Sequence, residues 1–203
     1  MEVILSYRYK PEDVACEYCV NSRRRRCRIT GCPWLAERIE AGVVGYAAAV
    51  RELFWRVENE AFIQRLGLLV LHFRGSFWLN REHEYNTRLL LRSVGYEAWR
   101  NPRFFAALYL FGSNRALMKR AWNACLPGGF EPRYMVMRGV SEHDYTLTQA
   151  AKALMCGGLG LTLYDLADVE IVDDEAFRLI VNALLIANYG PDVLRLDGTE
   201  ITY

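Results

Sequence analysis

Four cysteines near the start of the chain form the group of side chains with the most definite chemical use. Their spacing is Cys16-x2-Cys19-x7-Cys27-x4-Cys32. A Cys-x2-Cys turn delivers two thiolates from one bend, and zinc prefers a tetrahedron of such ligands. Four protein ligands leave no open position for water, so the spacing predicts a structural zinc ion instead of a catalytic one.

Other states of these thiols stay open. Four thiolates also suit an iron–sulfur cluster, which is the less favoured cofactor, and free or redox-active thiols are a third possibility. A metal is favoured over disulfides because thiols stay reduced in the cytoplasm. The two remaining cysteines, Cys125 and Cys156, fall on predicted helical faces, where we expect small buried hydrophobic residues.

A run of arginines lies inside the cysteine segment, at Arg23, Arg24, Arg25, Arg26 and Arg28. Guanidinium groups bind phosphate oxygens through paired hydrogen bonds, and a neighbouring aromatic ring such as Tyr18 or Trp34 can stack on a base. The run therefore predicts contact with nucleic acid. The alternatives are a solvated charge run, or docking onto an acidic surface. That surface would belong to a partner protein or to residues 162–203 of the same chain, which carry a net charge of −7.

Bulk composition suits one well-packed domain, with or without a small appendage. The chain has 203 residues, of which 52% are hydrophobic, and its net charge is +1. The first ten residues lack the features of a secretory signal, and the apolar segment 61–73 is too short and too polar to span a bilayer. We therefore expect a cytoplasmic protein with no membrane partner.

Hydrophobic periodicity predicts a mainly α-helical fold. Helices are indicated after Pro33, over 46–57, over 61–73, from Asn80 to 94, from Pro102, over 115–125, from Ser141 to Cys156, after Thr162 and over 175–189. Segment 61–73 is apolar on nearly every side, which predicts a buried central helix. Residues 2–9 and 193–203 alternate in polarity and predict a short strand pairing between the termini. We expect a cysteine-bearing domain over 1–40 and a helical, bundle-like domain over 41–203.

Catalysis finds little support in the sequence. The three histidines are His72, His83 and His143. Acidic residues adjacent to His83 and His143 point in other directions on a helix, so neither makes a ready dyad. We expect His72 in the core and His143 on the surface. No phosphate-binding loop, dinucleotide fingerprint or nucleophile elbow occurs, which favours a non-enzymatic protein.

Two resemblances add to these predictions. The segment Cys16–Cys32 resembles a zinc knuckle, a module that commonly contacts single-stranded nucleic acid, although its third ligand is Cys27 instead of a histidine and its middle loop is longer. The blocks Cys16–Val50 and His143–Gly190 resemble an uncharacterised bacterial family associated with mobile genetic elements. That resemblance implies a small cytoplasmic accessory protein with a regulatory role, and it supplies no activity.

The leading hypothesis is a non-enzymatic, zinc-stapled helical adaptor or regulator that contacts nucleic acid through its arginines. The alternative is a protein–protein interaction module with a purely structural zinc site and an acidic C-terminal face. A third, more distant hypothesis is an enzyme that uses a histidine–carboxylate pair in a helical cleft.

Overall fold

The computed structural model of the chain describes residues 8–23, 26–27, 29–95, 97–157 and 160–196. This part of the chain is mainly helical, as the sequence predicts. The α-helices are α1 (Leu35–Glu40), α2 (Tyr46–Leu53), α3 (Glu60–Leu71), α4 (Arg81–Val94), α5 (Glu97–Arg100), α6 (Pro102–Phe111), α7 (Arg115–Ala121), α8 (Glu142–Cys156), α9 (Leu163–Ala167) and α10 (Asp174–Tyr189). Two antiparallel pairs of very short strands accompany them, β1 (Ser22–Arg23) with β2 (Arg26–Cys27) and β3 (Cys125–Leu126) with β4 (Gly129–Phe130). None of the helices described here has the length and apolar character needed to cross a membrane.

Several helices begin where the sequence places a capping side chain. In each case a side-chain oxygen accepts a hydrogen bond from the backbone N–H three residues later, which satisfies a donor that the first turn leaves unpaired. The capping residues are Asn80, Ser141, Thr162 and Asp173, and for the last of these helices the sequence left Asp173 and Asp174 as alternatives. Gly190, with a φ of +82°, ends α10 ahead of Pro191. These boundaries confirm the predictions.

The centre of the core is α6. Every residue from Phe104 to Phe111 is at most 1% exposed, and the helix packs against α8 and α10. In α3 only Phe62 and Leu66 are buried, whereas Leu71 is 76% exposed. The prediction of a buried central helix over 61–73 is therefore wrong. Segment 61–73 and α6 are both apolar on most sides. Which of the two is buried depends on how the other helices pack around them.

Three further boundaries differ from the sequence prediction. Helix α2 ends at Leu53 instead of continuing to 57, and α7 ends at Ala121 instead of 125. A 3-10 helix over Trp122–Ala124 continues α7, and the β3–β4 hairpin follows it. The sequence suggests Pro127-Gly128-Gly129 as a helix terminator, but Pro127 and Gly128 make the turn of this hairpin. The sequence of residues 134–137 suggests extended structure, but Pro132–Tyr134 is a 3-10 helix, so that prediction is wrong at Tyr134.

The two ends of the described chain meet through an ion pair. The guanidinium of Arg8 donates a hydrogen bond to Oδ1 of Asp192 over 2.8 Å. Residues 191–195 form a 3-10 helix, so the strand predicted over 193–203 is wrong in its first residues. Most of the predicted terminal pairing falls on residues 2–7 and 197–203, which lie outside the described residues.

A chain of hydrogen bonds crosses the core and joins three helices. The hydroxyl of Tyr46 in α2 donates to Oδ1 of Asn182 in α10 over 2.8 Å. The amide nitrogen of Asn182 donates to the hydroxyl of Tyr109 in α6 over 3.2 Å, and that hydroxyl donates to the carbonyl of Phe77. All of these polar atoms have partners, as buried polar groups require. The network therefore fixes the positions of α2, α6 and α10 relative to one another.

Candidate metal centre and arginine hairpin

Short, irregular structure carries the cysteines. A 3-10 helix over Cys16–Tyr18 holds the first thiol. The backbone N–H of Cys19 donates to the carbonyl of Cys16 over 3.2 Å, and that of Ser22 donates to the carbonyl of Cys19 over 2.9 Å. These consecutive turns fold the Cys-x2-Cys segment back on itself and lead directly into β1.

The pairing of β1 with β2 reverses the chain within the arginine run. Its register places Ser22 opposite Cys27 and Arg23 opposite Arg26. We call this pair of strands the arginine hairpin. Arg24, Arg25 and Arg28, which were also predicted to bind nucleic acid, lie outside the described residues. The binding role assigned to all five arginines stays a prediction.

All four predicted metal ligands line one cavity of about 330 Å³. Burial raises the pKa of the Cys16 thiol, and the guanidinium of Arg38 works in the opposite direction. The thiols of Cys32, Cys19 and Cys27 raise that pKa further, because a second negative charge nearby disfavours ionisation. The other three thiols therefore lie close enough to Cys16 to disfavour its ionisation.

The positions of the four thiols do not form a tetrahedral set of metal ligands in this structure. Among the residues described, no group of three or more His, Cys, Asp and Glu side chains is placed so that it could hold a metal ion. A zinc tetrahedron needs sulfur atoms about 3.8 Å apart around bonds of about 2.3 Å. The thiol of Cys27 instead makes a weak hydrogen bond to the carbonyl oxygen of Ile29, at 3.6 Å. The metal-ligand assignment therefore stays a prediction.

A buried carboxylate oxygen bears on whether a cation fits this cavity. Glu37 lines the cavity together with the four cysteines. Its Oε2 atom is buried and has no hydrogen-bond partner among the described residues. An acceptor left in this state costs free energy, and a positive charge nearby would reduce that cost. Four thiols with this carboxylate beside them are a donor set that fits zinc.

Glu52 anchors the last cysteine to the helical body. Its Oε2 atom accepts hydrogen bonds from the backbone N–H groups of Gly31, at 2.8 Å, and Cys32, at 3.1 Å. Gly31 has a φ of +79°, a backbone conformation that glycine adopts without strain. A Cβ atom there would lie 3.1 Å from Nε1 of Trp55. Sequence reasoning missed Glu52 because no local spacing links it to a residue 20 positions away.

The buried histidine of this chain is His83, and not His72 as the sequence suggested. His83 is 0% exposed. Its Nδ1 atom accepts from the N–H of Leu79 over 3.2 Å, so the proton lies on Nε2, which donates to the carbonyl of Tyr109 over 2.9 Å. Burial lowers the pKa of His83 to about 4, against the opposing effect of that last hydrogen bond. His72 is exposed just after α3, so its predicted place in the core is wrong.

His143 pairs with an acid that the sequence did not suggest. Its Nδ1 atom lies 2.7 Å from Oδ2 of Asp173, and its Nε2 atom lies 3.9 Å from Oε1 of Glu175. Burial raises the pKa of Asp173, but hydrogen bonds from the N–H of Ala176 and from His143 outweigh it and leave that pKa below its usual value. Because Asp173 also caps α10, the contact joins the N-terminal ends of α8 and α10 and reads as a structural link.

The two cysteines outside the cluster differ in exposure. Cys125 is 6% exposed, and burial raises the pKa of its thiol to about 12, which keeps it protonated at neutral pH. Its predicted role as a small buried residue is confirmed, although it lies in β3 and not in a helix. Cys156 is exposed at the end of α8, so the same prediction is wrong for that residue.

Comparison with protein-family models, with curated proteins and with solved structures gives no match for this chain. The resemblances to a zinc knuckle and to a family associated with mobile genetic elements therefore stay predictions.

Proposed function

We propose that this protein is a non-enzymatic adaptor or regulator in which a zinc ion holds the arginine hairpin in place for binding nucleic acid. The ligands are Cys16, Cys19, Cys27 and Cys32, and the cationic groups are Arg23, Arg24, Arg25, Arg26 and Arg28. The observation that carries this proposal is the register of the hairpin. Ser22 and Cys27 form the rung that lines the thiol cavity, and Arg23 and Arg26 form the next rung along.

The composition of the cysteine segment explains why a metal is needed there. Among residues 8–34 whose side chains are described, none is buried. Such a segment gains little from the hydrophobic effect, and its two-residue strands contribute few hydrogen bonds. Zinc supplies free energy of folding directly, because the site forms only when the ligands come together. A closed set of four thiolates gives the ion a structural role.

Two exposed aromatic rings support a nucleic-acid partner. Tyr18 is 79% exposed and Trp34 is 53% exposed, and both line the cavity beside the hairpin. Bases stack on such rings with little dependence on sequence, while guanidinium groups follow the phosphates. The preferred ligand is therefore single-stranded nucleic acid, bound in a salt-dependent way. A cytoplasmic location, where thiols stay reduced, is part of the proposal.

The metal is tested by elemental analysis of protein purified without chelators. We expect about one equivalent of zinc per chain, since four thiolates fill its coordination sphere. Cys27→Ser removes one ligand and should lower both zinc content and thermal stability. Cys156→Ser is the matched control, because that thiol is exposed far along the chain from the cluster, and it should retain full zinc content. Iron in place of zinc, or no metal at all, would contradict this part of the proposal.

The nucleic-acid partner is tested by fluorescence anisotropy with a labelled single-stranded oligonucleotide of mixed sequence. Replacing Arg23, Arg24, Arg25 and Arg26 with Gln should weaken binding by about tenfold or more and flatten its salt dependence. The control replaces four exposed helix arginines, Arg81, Arg92, Arg103 and Arg115, with Gln. Equal losses in both variants, or no binding of the native protein at low salt, would rule out the hairpin as the binding surface.

The alternative function is a protein–protein interaction module with a purely structural zinc site. One structural feature favours it, namely an acidic and partly apolar surface around the N-terminal end of α10. Zinc at full stoichiometry combined with no affinity for oligonucleotides would select this alternative.

A further inference from the structure

A groove of about 660 Å³ runs between the first turns of α8 and the loop that joins α9 to α10. Its apolar lining consists of Val140, Tyr145, Leu161 and Ile171. Among the described residues that line it, the charged ones are Glu142 and Glu170, and both are acidic. We call this feature the acidic groove.

Large apolar side chains in the acidic groove face solvent. Tyr145 is 51% exposed and Ile171 is 50% exposed. A groove lined by both carboxylates and an aromatic ring attracts a guanidinium or ammonium group in two ways, through ion pairing and through the face of the ring. The combination suits a cationic side chain flanked by apolar ones, which a basic protein segment provides.

Neither carboxylate is engaged elsewhere in the part of the chain described. The side chains of Glu142 and Glu170 take part in no hydrogen bond or ion pair there, unlike those of the nearby Asp173 and Asp174. Glu142 lies in the first turn of α8, where the helix dipole favours a negative charge. That explanation does not extend to Glu170, which precedes α10 by several residues.

The surroundings strengthen the negative field. Residues 163–177 contain six acidic residues and no Lys or Arg. Arg65 forms an ion pair with Asp174. Exposed carboxylates around the α9–α10 loop still outnumber the cationic side chains there. A surface of this kind repels nucleic acid and increases the association rate of basic partners. Its charge is therefore complementary to a basic polypeptide.

The chain's own arginine hairpin is poorly placed to fill the acidic groove. Helix α1, which follows the cysteine segment directly, packs against α10 and against the 3-10 helix Pro191–Arg195 that comes after it, so the cysteine segment lies toward the C-terminal end of α10. The acidic groove lies at the opposite end of that helix, about 24 Å away for 16 residues. An intramolecular contact between the two, which the sequence left open, is thus disfavoured by the length of α10.

We propose that the acidic groove docks a basic segment of a partner protein. One Lys or Arg side chain lies between Glu142 and Glu170, and an adjacent apolar residue covers Tyr145 and Ile171. This inference rests neither on zinc nor on the arginine hairpin, so it stands or falls separately from the proposed function.

The test uses two fluorescein-labelled peptides and the full-length protein. One peptide has the sequence Leu-Arg-Leu-Arg-Leu, and the other replaces both arginines with citrulline, which keeps the shape and removes the charge. We expect the arginine peptide to bind at low salt and to shift the amide resonances of residues that line the acidic groove. The double variant Glu142→Gln with Glu170→Gln should weaken binding about fivefold or more.

A control double variant, Glu58→Gln with Glu82→Gln, removes two exposed carboxylates elsewhere and should bind like the native protein. Three results would overturn the proposal: no binding of the arginine peptide, equal binding of the citrulline peptide, or equal weakening in both double variants. Sedimentation equilibrium tests the other possible occupant of the acidic groove, a second copy of this chain. Self-association that disappears in the Glu142/Glu170 variant would assign the acidic groove to a second copy of this chain and not to a partner protein.

Discussion

The Oε2 atom of Glu52 accepts a hydrogen bond from the backbone N–H of Cys32 over 3.1 Å. The same oxygen accepts from Gly31 over 2.8 Å. Through this one carboxylate, helix α2 holds the end of the cysteine segment, in which none of the described side chains is buried. The position of the fourth thiol therefore depends on a residue outside the cysteine motif.

Glu52→Ala should loosen the cysteine segment and leave the helical body folded. Hydrogen bonds to a charged acceptor contribute about 1.5–3 kcal/mol, and part of that free energy of unfolding should be lost. Amide hydrogen exchange should accelerate at Gly31 and Cys32 and stay slow in α6. Glu58→Ala, at an exposed position, is the control. Unchanged exchange at both amides would show that Glu52 does not anchor the segment.

The buried imidazole of His83 predicts a loss of stability in acid. Its folded-state pKa of about 4 lies below the ordinary value of 6.5, so the neutral form is favoured in the native state. Its contribution is full above pH 6.5 and is lost as the pH falls toward 4, and it amounts to about 3 kcal/mol.

His83→Gln should remove this part of the pH dependence, because the replacement does not titrate. The measurement is urea unfolding at a series of pH values between neutral and 4. The stability curves of native protein and variant should converge as the pH falls. His72→Gln, at an exposed histidine, should keep the native slope. Parallel curves for the native protein and the His83 variant would contradict the prediction.

Two glycine-to-alanine substitutions should have opposite effects. A Cβ atom at Gly112, just after α6, would lie 2.8 Å from the backbone nitrogen of Thr87 and closer still to its hydroxyl oxygen. The clash should cost about 1–3 kcal/mol. Gly67 lies within α3 with no atom in the way, so alanine there should stabilise the protein by about 0.5–1 kcal/mol. Thermal unfolding shows whether each substitution raises or lowers stability. A stabilised Gly112→Ala variant would mean that α4 and α6 pack less closely than the structure shows.

Tyr46→Phe should destabilise the core although it preserves the ring. The change removes the donor to Oδ1 of Asn182, which is 0% exposed, and leaves that acceptor unpaired at a cost of about 1–3 kcal/mol. Tyr85→Phe is the control, since Tyr85 is 61% exposed on α4 and should change little. Equal unfolding free energies for the two variants would mean that the Tyr46–Asn182–Tyr109 network contributes no net stability.

Local features of the sequence predicted the fold well. The capping residues Asn80, Ser141 and Asp173 each accept a hydrogen bond from an N–H group three positions later. Donor and acceptor therefore lie within one helical turn, where local sequence is sufficient to predict the contact. Burial was predicted less reliably. Cys156 and Leu71 lie on apolar segments yet are exposed, because burial depends on which helix packs over a face and not on the face alone.

The sequence by itself determined the mainly helical class, most helix starts and the grouping of four thiols and five arginines within a short segment. These follow from interactions between residues a few positions apart, where propensity and capping act. The tertiary structure decided the rest: α6 as the centre, Glu52 as the anchor of Cys32, Asp173 as the partner of His143, and the acidic groove between α8 and the α9–α10 loop. Each of these joins residues far apart in the chain, and contacts of that kind depend on how the helices pack together.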